Sequence, residues 1–178
     1  MTPATWLSDH AHLLPRTGAA LDVACGRGRH ALWLAARGLS VTAVDRDEAS
    51  IRQVMEEATR CGLVVSAQVV DLEGSEVSLG DAAFDVIVGV HYLHRPLFPA
   101  LLQALRPGGL LIYETFTRAQ AQRGKPTNPD FLLEPGELIS RVAPLEVVSS
   151  REGRFDELEV ASVIARKQAT LTTVVPVN

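Results

Sequence analysis

Only two cysteines, Cys25 and Cys61, occur in the 178 residues, and their separation matches no metal-ligand pattern. Neither a disulfide framework nor a thiolate metal site is expected, and a reducing compartment suits the chain. No apolar run is long enough to span a bilayer and no secretory leader is evident, which predicts a cytoplasmic protein without a membrane partner. Positive charge is not in excess either: 17 Lys and Arg against 21 Asp and Glu leave a net charge of −4. That balance argues against a broad phosphate-binding surface and so against nucleic acid. Internal repeats and low-complexity tracts are missing as well. What is present, 47% hydrophobic and 21% charged residues, suits one domain over 1–178 with a sizeable core. The expected partner is a small molecule, and the expected assembly a monomer or homodimer.

The densest pattern is LDVACGRGRHALWLAARG over 21–38. An apolar strand over 20–24 runs into the turn 25–28, and a helix bearing Ala31, Leu32, Leu34 and Ala35 follows. Gly26 and Gly28 let the backbone bend sharply and a ligand approach closely, while the free amides of the helix start favour negative charge. Gly38 caps that helix, and VTAVD reads as a second strand ending in Asp45. A carboxylate there suits ribose hydroxyls. Gly26, Gly28 and Ala31 formally satisfy the dinucleotide pattern G-x-G-x-x-G/A, so NAD competes with S-adenosylmethionine. Asp22, inside the strand ahead of the turn, disfavours a pyrophosphate and favours a cation. S-adenosylmethionine carries an ammonium, a sulfonium and no phosphate.

Read in order, Thr2 and Pro3 start a leading helix over 1–15 with Leu7, Ala11 and Leu14 on one face. Asp47 caps a helix whose Ile51, Val54, Met55 and Ala58 recur at helical spacing, and Gly62 ends it. A strand over 64–70 ends at Asp71 and Leu72, residues 75–81 read as loop or short helix, and FDVIVGV over 84–90 is a buried strand. Asp85 lies at the end away from the glycine turn, where it orders a turn. Pro96 opens a helix, Arg106-Pro107-Gly108-Gly109 forms a turn, and LLIYETF over 110–116 is the fifth strand. Polar residues 117–130 have no period and read as a mobile lid, extended to 117–134. Pro135 opens a helix through Leu138, Ile139 and Val142. Two strands over 145–149 and 158–165 then close the sheet, with Gly153 in their turn. The tail 168–178 has no identifiable partner.

The run C-G-x-G-R followed by L-A-x-x-G, here Cys25, Gly26, Gly28, Arg29, Leu34, Ala35 and Gly38, resembles motif I of class I S-adenosylmethionine-dependent methyltransferases. It is similar to their small tellurite-resistance-type branch, although Ala24 stands where the family usually has glycine. The resemblance implies an α/β, Rossmann-like fold: a three-layer αβα sandwich whose seven-stranded, mostly parallel sheet has an antiparallel last strand. The implied cofactor is S-adenosyl-L-methionine. Asp22, Ala24, Cys25, Gly26, Gly28 and Arg29 would contact it around the first strand, Asp45 and Arg46 after the second, and Gly89 and Val90 at the fourth; the Arg29 guanidinium suits a planar carboxylate, either the cofactor's or an acceptor's. At the third strand end, Asp71 would accept from the adenine amino group and the Leu72 amide would donate to the ring. His91, Tyr92, His94 and Arg95 fall where the family borders the methyl group and acceptor, with Glu114 one strand away. The resemblance implies a small acceptor, in the nearest branch a soft S, Se or Te anion, and Arg95, with an arginine of the lid, is expected to draw in an anionic one. Trp6, His10 and His12 are candidates for the acceptor wall, with the leading helix and the 117–130 loop as covers. Cys25 and Cys61 read as packing residues, and His91-x-x-His94 lacks a third ligand, so no metal is expected. A non-catalytic S-adenosylmethionine-binding module and an NAD-dependent oxidoreductase are the competing readings.

Overall fold

Unbroken apolar runs demand strands buried on both faces, and that is how they sit in the computed structural model, which describes residues 2–74 and 77–169. The strands are β1 (Gly18–Val23), β2 (Leu39–Asp45), β3 (Val65–Val69), β4 (Phe84–Val90), β5 (Leu105–Phe116), β6 (Glu146–Phe155) and β7 (Leu158–Arg166). They form one sheet in the order β3-β2-β1-β4-β5-β7-β6. β7 runs antiparallel to both β5 and β6. The order reverses between β1 and β4, which opens a crevice at their carboxyl ends.

Side-chain alternation along the strands feeds two cores. On one face Ala20, Val41, Ala43, Val86, Val88 and Ile112 pack with helices α1 (Thr5–Asp9), α2 (Arg29–Ala35) and α3 (Glu48–Cys61). On the other, Leu21, Ile87, Leu111, Tyr113 and Val163 pack with α4 (Phe98–Ala104) and α5 (Glu137–Val142). Each fully buried aliphatic side chain contributes about 1.5–3 kcal/mol of transfer free energy, which makes this three-layer burial the dominant stabilising term. α3 follows its sequence signals: Asp47 accepts from the Ser50 amide at 3.1 Å, and Gly62 ends the helix at φ 66°.

Four expectations change. The leading helix begins at Thr5 and not at Thr2, because the Ala4 amide donates to buried His30 Nε2 at 3.3 Å and is held outside the helix; a 3-10 turn, Ala11–Leu13, replaces its last turn. Gly153 lies within β6 opposite Val160; the hairpin turn is Asp156-Glu157, both at positive φ (48° and 68°), as a two-residue loop matched to strand twist requires. β5 begins at Leu105, with residues 106–109 bulging between two paired segments. Arg106 there bonds Asp85 Oδ2 at 2.7 Å, which also takes the Ala19 amide. Finally, the stretch 117–134 is not structureless. It holds 3-10 turns Arg118–Gln122 and Pro129–Phe131, and buried Gln120 donates to the Lys125 carbonyl and accepts from the Glu159 amide. Within the tail, residues 170–178 lie outside those described, as do 75 and 76 of the expected 75–81 loop.

Candidate active site

The glycine turn is shaped by what surrounds it. A Cβ on Gly28 would come within 2.6 Å of Val54 Cγ2, so this glycine lets α2 approach α3. Gly26, at φ 51°, has open space where its Cβ would lie, so its backbone is accessible to a ligand. Ala24 shares the left-handed region at φ 51°, an uncommon conformation for a residue with a Cβ. Asp45 closes the turn: its Oδ2 accepts the Gly26 amide at 2.8 Å and its Oδ1 the Asp47 amide at 2.9 Å.

Asp22 is buried, and its Oδ2 accepts the Ala31 amide at 2.9 Å while its Oδ1 has no hydrogen-bond partner. Burial pushes its carboxyl up to about 7, partly offset by the Ala31 hydrogen bond. Arg29 lowers it as well and Asp45 raises it, and His30 Nδ1 lies 3.9 Å from Oδ1. Because its Nε2 accepts from Ala4, the ring proton sits on Nδ1, and burial, reinforced by Arg29, pushes the imidazole down to about 3. A buried carboxylate oxygen without a partner, beside an open glycine backbone, fits the ammonium end of S-adenosylmethionine.

Above these strand ends lies a cavity of about 620 Å³, within the usual range for small-molecule sites of roughly 300–1,000 Å³. Ala24, Asp45, Arg46, Asp71 and Leu72 form its floor, His91, Tyr92 and Leu93 one side, and Lys125, Pro126 and Phe131 also line it. Tyr92 is anchored through its backbone, where its carbonyl accepts the hydroxyl of buried Tyr113 at 2.9 Å. Burial, with Glu73 and Asp71 nearby, pushes the Tyr92 phenol above its ordinary range, so it stays protonated. His91, at φ 59°, donates its amide to the Glu114 carbonyl at 2.8 Å and stacks on Phe116 at 4.5 Å. Burial lowers its pKa despite Glu114, so the ring is neutral near pH 7. A second cavity of about 220 Å³ also has His91 in its wall, together with Arg29.

Asp22, Gly26 and Gly28 shape the turn but line neither cavity, and neither do several further expected contacts. Gly89 is a packing glycine, since a Cβ would meet the Tyr113 ring at 2.3 Å. Val90 is half-buried against the core cluster, and Cys25 is buried with its thiol pushed well above the ordinary range by burial, Asp22 and Asp45. His94 lines neither cavity; its carbonyl accepts the Leu97 amide in the turn leading to α4. Arg95 is the clearest correction. Its guanidinium forms two bonds to Glu137, at 2.7 and 2.9 Å, and two to the carbonyls of Asp130 and Leu132. Those bonds direct it away from an acceptor. Lys125, Pro126 and Phe131 in the larger cavity belong to the stretch expected as a lid, whereas Arg151 and Phe155 in the smaller carry no local sequence signal for a site.

Residues 20–109, half the chain, match the family model described as a methyltransferase domain. The ubiquinone biosynthesis O-methyltransferase of Idiomarina loihiensis is 34% identical over 106 residues, which is 55% of this chain and 42% of that protein. The chain spans about half or less of the length of the curated relatives it matches. Among solved structures, TehB from Haemophilus influenzae superposes with a TM-score of 0.76 at 22% identity, covering 91% of this chain and 61% of that one. An S-adenosylmethionine-dependent methyltransferase from Mesorhizobium loti gives 0.73 at 17% identity, covering 92% and 99%. With motif I at the reversal of the strand order, a buried Asp22 oxygen without a hydrogen-bond partner beside it and a family model over half its length, the chain belongs to the methyltransferase domain family, with a class I fold and S-adenosylmethionine as its cofactor.

Proposed function

We propose that this protein transfers a methyl group from S-adenosylmethionine to a small acceptor, anionic or with a soft S, Se or Te nucleophile. The observation that carries this reading is the position of His91, whose residue forms part of the wall of both cavities. Asp45 and Asp71 in the larger cavity suit an adenosine. The smaller cavity, below the size of a drug-sized site, suits a small acceptor and not a polymer.

When bound, the cofactor supplies an activated methyl group whose C–S bond breaks with its electron pair left on sulfur as the acceptor's lone pair forms the new bond. The chain's contribution is then mainly alignment, and orientation of two reactants supplies roughly 7–11 kcal/mol. Neutral His91 can take a proton from an acceptor that must lose one, while an acceptor that arrives as an anion needs no base. Asp22 and the Gly26 backbone would hold its amino-acid end, and Phe131 and Lys125, which line the larger cavity, would shield it from water. The proposed setting is cytoplasmic, as a monomer or homodimer, without nucleic acid; among the described residues no helix is long and apolar enough to cross a membrane.

Incubation with S-adenosylmethionine and a panel of small thiols, selenols, phenols and carboxylates, with S-adenosylhomocysteine as the readout, tests this. Product above the acceptor-free rate supports the reading. Tight cofactor binding without turnover on any panel member favours the non-catalytic binding module.

A further inference from the structure

The smaller cavity has an unbalanced wall. Glu114 is buried, and its Oε2 accepts from the Ser162 hydroxyl at 2.6 Å and from Arg151 Nη2 at 3.1 Å. Arg151 also donates to Ser162 Oγ, and its guanidinium lies 4.0 Å from the Phe155 ring centre and 4.8 Å from that of Trp6. These two charges offset each other, and the stacked arginine is held as a rigid wall. Asp156 sits at the rim, on the exposed hairpin turn. Half-buried Arg29 lines the same cavity and has no hydrogen-bond or ion-pair partner among the described residues. Its planar guanidinium suits a carboxylate bidentately. Much of the remaining wall is apolar, with Pro3, Leu158 and Val160 beside Phe155.

We propose that the cavity between Arg29, His91 and Arg151 is the acceptor-binding pocket, and that its occupant is a small monocarboxylate with an apolar body, its carboxylate on Arg29. This rests on the reading that methyl transfer takes place beside His91. It replaces Arg95, whose hydrogen bonds already hold Glu137 and two carbonyls, as the anion-binding residue. The apolar walls select against a bare inorganic oxyanion, which would leave them without contacts and strip hydration from the anion.

Calorimetric titration of benzoate, phenylacetate and butyrate into the full chain saturated with S-adenosylhomocysteine tests the pocket. At least one of the three is expected to bind, Arg29→Ala to weaken it tenfold or more, and Arg29→Lys to restore part of the loss. Leu158→Trp, which fills the cavity while leaving the Arg29 side chain itself unaltered, is expected to abolish binding as well. For Leu158→Trp the affinity for S-adenosylhomocysteine should change less than threefold, and for Arg29→Ala it should fall less than the affinity for the carboxylate does. Absence of binding by every carboxylate overturns the proposal. So does an Arg29→Ala variant that loses S-adenosylhomocysteine instead, which assigns Arg29 to the cofactor. If wild-type protein fails to bind S-adenosylhomocysteine, the methyltransferase reading fails, and carboxylate binding to the ligand-free protein still decides the pocket by itself.

Discussion

Asp45 Oδ2 accepts the amide of Gly26 at 2.8 Å, which joins the end of β2 to the glycine turn after β1 before any ligand is present. The carboxylate thus shapes the turn as well as facing the cavity. Hydrogen bonds to a charged group contribute about 1.5–3 kcal/mol each. Asp45→Ala is therefore expected to weaken S-adenosylhomocysteine at least roughly tenfold and also to lower Tm, by about 2–4 °C for each kcal/mol lost in a chain of this size. Calorimetry and thermal denaturation of the same variant measure both. An unchanged dissociation constant in a folded variant removes Asp45 from the cofactor site.

The Asp22 and His30 pair predicts opposed pH effects. Asp22 is raised to about 7, so between about pH 4 and 7 the folded state holds a proton that the unfolded state has released, and stability falls as pH rises through that window. His30 is lowered to about 3, so below about pH 6.5 the unfolded state takes the extra proton, and stability falls as pH drops. Between about pH 4 and 6.5 the two slopes oppose each other. Asp22→Asn should remove the first and leave a Tm that drops more steeply than wild type on acidification. An ammonium on Oδ1 favours the ionised carboxylate, so cofactor binding near pH 6 should release protons, seen as a dependence of binding heat on buffer ionisation. A buffer-independent heat would show that Asp22 is already ionised.

Arg95 fastens the segment carrying Phe131. Glu137 is held down to about 2, chiefly by its hydrogen bonds with Arg95, so the pair stays charged across the working pH range. Arg95→Ala and Glu137→Gln are both expected to weaken S-adenosylhomocysteine several-fold and to speed proteolysis within 123–134. Carboxylate binding in the smaller cavity should be unaffected. A variant with wild-type protease resistance would show that the segment's other bonds, among them Gln120 with Glu159 and Leu133 with Phe116, hold it without Arg95.

Gly28→Ala forces a Cβ to within 2.6 Å of Val54 at φ 74°. Overpacking of this kind costs about 1–3 kcal/mol. In a double-mutant cycle Val54→Ala should recover the steric part but not the cost of the left-handed backbone. Full recovery by Val54→Ala would show that the backbone tolerates alanine there.

Most of the fold was decided by the sequence itself. Unbroken apolar runs, the Asp47 and Gly62 caps, and glycines at 26 and 28 are local signals, because hydrogen bonding along a helix and burial along a strand repeat over a few residues. Carboxylates at the ends of β2 and β3 were legible for the same reason, and both lie in the larger cavity. Only the tertiary structure decided the rest. Arg95 looks equally suited to an acceptor until Glu137, 42 residues away, is seen to take its guanidinium. Glu114 and Arg151, 37 residues apart, meet because β7 lies between their strands. Gly153 reads as a turn residue until the register of β6 with β7 moves the turn to Asp156-Glu157. In each case a side chain or glycine with several acceptable local roles is committed to one by a partner distant in sequence, and only the packed sheet selects that partner.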